Sequence, residues 1–169
     1  KEPLIPIGHE IACDQFRLPI ESPKKAFKTS GPKLTVSTNG DNLSASSSKV
    51  NFMFNKKTGI VTSYKVDGTE YFSEGFGIQP NFWRAPTDND YGNGMPKRLQ
   101  VWKESSKNFN VTDATVTMDG NNAVVNVNYL LPAGNLYIVN YTIYPSGAVN
   151  VVARFTTDRV AKFSGPVEL

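Results

Sequence analysis

The 169-residue sequence holds one cysteine, Cys13, and one histidine, His9. A single cysteine excludes an internal disulfide and a cysteine zinc cluster. A single histidine excludes a two-histidine metal site within the chain, and any Ser-His-Asp triad would have to use His9. His9 reads as an ordinary strand or interface histidine and Cys13 as a core thiol. No run of eighteen apolar residues occurs, so no membrane-spanning helix and no membrane partner are expected. An excess of one charge is also missing. The chain has 18 basic and 15 acidic residues, and the basic ones are scattered. The densest cluster, Lys24, Lys25 and Lys28, sits in a proline-rich stretch and reads as a solvated face, so no nucleic-acid partner is expected. The chain starts at Lys1 with no signal-peptide pattern, which reads as a piece cut from a longer protein.

What is present is alternation. Leu34, Val36 and Thr38 face one way. Leu43, Ala45 and Ser47 follow the turn cluster Asn39-Gly40-Asp41-Asn42. Val50, Phe52 and Phe54 form the next apolar face, and Asn55-Lys56-Lys57-Thr58-Gly59 turns the chain, with Gly59 able to take positive φ. Ile60, Thr62, Tyr64 and Val66 then alternate up to Asp67-Gly68. The second half repeats this grammar. Strands are expected over Val111–Met118, Ala123–Leu131, Leu136–Tyr144 and Val149–Phe155, with Tyr137, Val139, Tyr141 and Ile143 on one face. Regularly spaced strands with short loops predict an all-β antiparallel sandwich or barrel. Two stretches break the pattern. Residues 19–33 carry Pro19, Pro23 and Pro32 and read as a linker, which separates a strand within 7–18 from the body at 34–169. Within 77–108, Leu99 and Trp102 are spaced for one short helix over Lys97–Ser105.

Before that helix lies a loop unlike the others, residues 81–96. It gathers Phe82, Trp83, Arg84, Asp88, Asn89, Asp90 and Tyr91 with Gly92, Asn93 and Gly94. Aromatic faces beside carboxylates, amides and arginine are the mix that packs on sugar rings and binds their hydroxyls. The plain alternative is a structured loop. Phe82 and Trp83 would anchor it, and Arg84 would pair with Asp88 or Asp90. Nothing in the sequence sets the pKa values of Asp88 and Asp90 apart as a glycosidase pair would need. Tyr91 breaks the ligand spacing that a calcium loop demands, so no metal site is assigned. Tyr71, Phe72, Phe76 and Phe82 read as core or interface residues.

The segment Phe82-Trp83-Arg84-Ala85-Pro86-Thr87-Asp88-Asn89-Asp90-Tyr91-Gly92 resembles the F-x-R-A-P-x-D-N-D-x-G segment of glycoside hydrolase family 2 β-galactosidases of the LacZ type. The flanks agree in order. Gly8-His9-Glu10-Ile11-Ala12 with Gln15-Phe16-Arg17-Leu18 resembles the last strand of that family's penultimate immunoglobulin-like domain. Phe54-Asn55-Lys56-Lys57-Thr58-Gly59, with Ser63-Tyr64 and Gly68, resembles its F-D-x-x-T-G hairpin, and Trp102 resembles the tryptophan closing the helix after the loop.

The resemblance implies a partial antiparallel supersandwich, galactose-mutarotase-like, with one short helix. Residues 1–18 would end the preceding domain, 19–33 link, and 34–169 open the C-terminal (small-chain) domain. It implies a parent enzyme that cleaves terminal β-galactosides by a retaining mechanism through two glutamates of a TIM barrel absent here, so no residue of this chain is catalytic. Arg84, Asp88, Asn89, Asp90, Tyr91, Gly92, Asn93 and Gly94 would lie near the β-galactoside and gate the barrel's site, with Gly92 and Gly94 letting the segment swing. Asn93-Gly94-Met95-Pro96 replaces the family's Val-Ser-Glu type stretch in a shorter connection. The implied partners are the rest of the parent chain and a homo-oligomer. No cofactor is implied for this stretch, the parent's magnesium and sodium ligands lying elsewhere. A stand-alone carbohydrate-binding module and a purely structural interdomain β-domain remain open as alternatives.

Overall fold

A computed structural model describes residues 6, 8–10, 12–16, 18–20 and 26–156. Among the described residues, nine strands form two antiparallel sheets. The first sheet runs in chain order through β1 (Thr35–Asn39), β2 (Asn42–Ser46), β3 (Val50–Asn55), β4 (Ile60–Val66) and β5 (Thr69–Glu70). The second is β6 (Asn110–Asp119), β7 (Asn122–Leu130), β8 (Leu136–Ile143) and β9 (Val149–Thr156). Every neighbour pair is a hairpin or short connection except β5 to β6, which spans the 81–96 loop.

The sheets face each other across one core. Leu43, Ala45, Val50, Phe52 and Phe54 of the first sheet and Val125, Val127, Tyr129, Tyr141 and Ile143 of the second are essentially inaccessible to solvent. The Tyr141 ring lies 5.6 Å from Phe52 and 6.4 Å from Phe54 between centroids, so β8 packs over β3. Period-two alternation makes this possible, because each strand offers one apolar face. Two tyrosines stitch the layers. The Tyr129 hydroxyl donates to the Gly59 carbonyl at 2.9 Å, and the Tyr64 hydroxyl to the Gly147 carbonyl at 2.5 Å. Gly59 has φ of 72°, and a Cβ there would meet the Phe109 ring at 2.8 Å and Val111 at 2.9 Å. The β3–β4 turn therefore fits under the second sheet only with glycine. Asn55 shapes that turn by accepting the N–H groups of Lys57 (3.0 Å) and Thr58 (2.9 Å).

Several expectations need correction. Ile60, Thr62, Tyr64 and Val66 do not share one face. The β3–β4 register shifts between Met53 and Phe54, pairing Phe54 with Val61 but Phe52 with Tyr64. This bulge turns the buried Val61 inward and brings Tyr64 and Val66 round to the same side. The single helix over 97–105 is instead α2 (Met95–Arg98) and α3 (Gln100–Ser105), parted at Leu99, and α1 (Asp88–Gly92) forms inside the expected loop. Pro96 lies in the first turn of α2, where a missing N–H costs nothing. Cys13 is exposed, not a core thiol. The described residues of 7–18 are exposed and lie outside any strand. Tyr71 and Phe76 are also exposed, whereas Phe72 and Phe82 pack against the core. Residues 26–33 carry no regular structure, yet they are seated. Phe27 meets the Tyr144 ring edge-on at 5.4 Å, and the Pro145 carbonyl occupies the space a Gly31 Cβ would need. The continuation over 157–169 lies outside the described residues.

Candidate functional site

The 81–96 loop is anchored at its start by aromatic packing. Phe82 stands 5.0 Å from Tyr137 at 80°, and 6.1 Å from both Trp102 and Phe155. The Phe82 N–H donates to the Ser106 hydroxyl at 2.6 Å, and that hydroxyl donates to the Trp102 carbonyl at 3.0 Å. One serine thus ties the loop's first turn to the end of α3. Nothing in the sequence pattern marked Ser106 for this, because its two contacts come together only in space.

The loop's middle is organised by one carboxylate. Asp90 is buried, and Arg84 grips it with two hydrogen bonds of 2.6 and 2.9 Å. The Thr87 N–H reaches the same carboxylate at 2.7 Å and the Thr87 hydroxyl at 3.0 Å. The third residue of α1 thereby caps its own helix, in a capping box with Thr87. Arg84 in turn donates to the Ala85 carbonyl at 3.1 Å. The Arg84 guanidinium first, and then the Thr87 donors, hold the Asp90 carboxyl well below the usual carboxylate range. Of the two partners open to Arg84 in the sequence, Asp90 is the one it takes.

Asp88, Asn89, Tyr91, Gly92, Asn93 and Gly94 are exposed around this clasp. Asn93 accepts the Met95 N–H at 2.9 Å and an Arg98 N–H at 3.3 Å, so it caps the start of α2. The two glycines differ. Gly94 takes φ of 72°, whereas Gly92 is the last residue of α1 and does not need positive φ.

This geometry limits the chemistry. A carboxylate with four donors and a depressed pKa cannot carry a proton near neutrality, so Asp90 is no general acid. Among the described residues no group of three or more His, Cys, Asp or Glu side chains could hold a metal ion. A second clasp, not singled out in the sequence, sits at β5. Glu70 accepts the Ser63 hydroxyl at 2.5 Å and the N–H groups of Tyr64 (2.9 Å) and Phe72 (3.1 Å), which lowers its pKa to about 2.

Comparison with known proteins fits the fold and the loop. The model of the β-galactosidase small chain matches residues 46–167, a stretch that includes the whole of the second sheet and the loop. The chain belongs to the β-galactosidase small-chain family. A β-galactosidase of Priestia megaterium is 34% identical over 146 residues, covering 85% of this chain. One of Kluyveromyces lactis is 30% identical over 147 residues, covering 81%. A β-galactosidase small subunit of Latilactobacillus sakei is 33% identical over 69 residues. This small-chain region spans 14% of the length of the first two relatives.

Proposed function

We propose that the chain is a non-catalytic part of a glycoside hydrolase family 2 β-galactosidase, which hydrolyses terminal β-galactosides by a retaining mechanism. In this reading the catalytic glutamates lie in a TIM barrel elsewhere in the parent protein, and the chain alone hydrolyses nothing. The 84–94 segment borders that barrel's active site and gates it. The observation that carries the reading is the Arg84–Asp90 clasp, which holds an exposed rim of Asp88, Asn89, Tyr91 and Asn93 on a fixed base. A rim of carboxylate, amide and phenol can meet sugar hydroxyls and a sugar face. Gly94, with positive φ and open space around its Cα, is where such a segment can hinge.

The test is kinetic and needs the full-length parent enzyme. Asp88→Ala leaves the clasp intact, so under this reading it lowers kcat/KM for lactose while thermal stability stays unchanged. Gly94→Asn, which tolerates the positive φ and keeps the N–H to the Tyr91 carbonyl while narrowing the segment's freedom, lowers kcat. Unchanged kinetics in both variants would mean the loop is scaffold only.

A further inference from the structure

A cleft of about 610 Å³ opens between residues 29–33, the β6–β7 turn and the β8–β9 turn. That volume lies within the range of small-ligand sites, roughly 300–1,000 Å³. One wall is the seated segment that offers Thr29, Ser30 and Lys33. The opposite wall is the β6–β7 turn with Asp119 and Asn121, and Tyr144 adds an aromatic ring.

The bonding state of these groups sets the cleft apart. In the 84–94 loop the key polar groups satisfy one another. Here, among the described residues, the side chains of Thr29, Ser30, Lys33, Asp119 and Asn121 make no hydrogen bond or ion pair. Donors and acceptors on two walls therefore face solvent uncommitted. The walls are also positioned. Gly31 packs so closely on the Pro145 carbonyl that no larger residue fits, and Phe27 braces Tyr144. Gly120 takes φ of 58° and tightens the opposite turn. A ligand would not have to order these segments first, which favours binding.

The charge balance indicates the ligand class. Lys33 and Asp119 are the two charged residues of the lining and cancel. One cation opposed by a carboxylate does not select a phosphate, and one carboxylate does not make a cation site. Two aliphatic hydroxyls, two amides, a carboxylate and an ammonium around one aromatic ring suit a neutral polyhydroxyl ligand. We propose that this cleft is a saccharide-binding site, separate from the 84–94 loop and independent of the function proposed for it.

The experiment is an amide NMR titration of the chain with lactose, and with inorganic phosphate as the anionic control. Saturable shifts with lactose are expected at Ser30, Gly31, Lys33 and the 119–122 turn, with Kd in the millimolar range. Asp119 at the end of β6 and Asn121 in the turn after it are both exposed, so the double variant Asp119→Ala, Asn121→Ala keeps a dispersed spectrum and loses those shifts. The proposal is overturned if these amides stay unmoved at about 100 mM lactose, a hundredfold above a millimolar Kd. It is equally overturned if phosphate moves them and lactose does not, or if the double variant responds as the parent does. Shifts confined to 84–94 would support the loop reading and overturn this one.

Discussion

Replacing Asp90 by asparagine keeps the size of the side chain and removes the charge that Arg84 and Thr87 converge on. Asp90→Asn is expected to lower the melting temperature and to raise hydrogen exchange in 84–94, a change visible by mass spectrometry. The pH response has a definite sign. Asp90 and Glu70 have folded pKa values below their unfolded ones, so their contribution is fully present above about pH 4.5. It is lost as pH falls toward 2, and Asp90→Asn should flatten part of that loss in urea midpoints measured from pH 5 to 2. The opposite limb belongs to the core tyrosines. Burial pushes Tyr141 up to about 12, and burial raises Tyr129 as well. Stability should hold up to about pH 10, the unfolded tyrosine value, and fall as pH rises beyond it. Tyr129→Phe strands the buried Gly59 carbonyl and is expected to cost about 1–3 kcal/mol in a denaturant titration. Tyr64→Phe, at the half-buried Gly147 contact, should cost about 0.5–1.5 kcal/mol. At this scale the sequence narrowed the choices without making them. Arg84 had two carboxylates within reach along the chain, and the burial and helix position of Asp90 selected it.

The strands are where local pattern and structure agree best. Apolar residues two apart can bury one face only in a strand, so β1 to β4 and β6 to β9 follow from alternation. The bulge opposite Met53 and Phe54 escaped because an extra residue changes register without changing composition. The helices were less legible. Four- to six-residue segments have too few turns to show a 3.6-residue period, and α1 exists because Asp90 caps it. The turns allow a paired test. Gly40→Ala meets open space at φ of 57° and should cost only the left-handed strain, about 1–2 kcal/mol. Gly59→Ala adds overlap with Phe109 and Val111, so it should cost about 1–3 kcal/mol more, read from unfolding midpoints of both variants.

For the whole molecule the open question is its far edge. Val149, Val151, Ala153 and Phe155 of β9 face the core side by register with β8, yet Val151 is 43% and Phe155 42% exposed. The first sheet ends in the two-residue β5. Among the described residues nothing pairs with the outer edge of β9. Such an edge favours association with another strand. Sedimentation velocity of the chain should show concentration-dependent association, and Val152→Lys on β9 should reduce it. By itself the sequence determined the all-β character, the hairpin order and the likeness to β-galactosidases, because each rests on spacing between near neighbours. Only the tertiary structure decided which carboxylate Arg84 holds, that Gly94 rather than Gly92 needs the left-handed conformation, and that the 26–33 segment is pinned at Gly31. Those outcomes depend on contacts between groups far apart in the chain, whose energies appear only once two layers share a core.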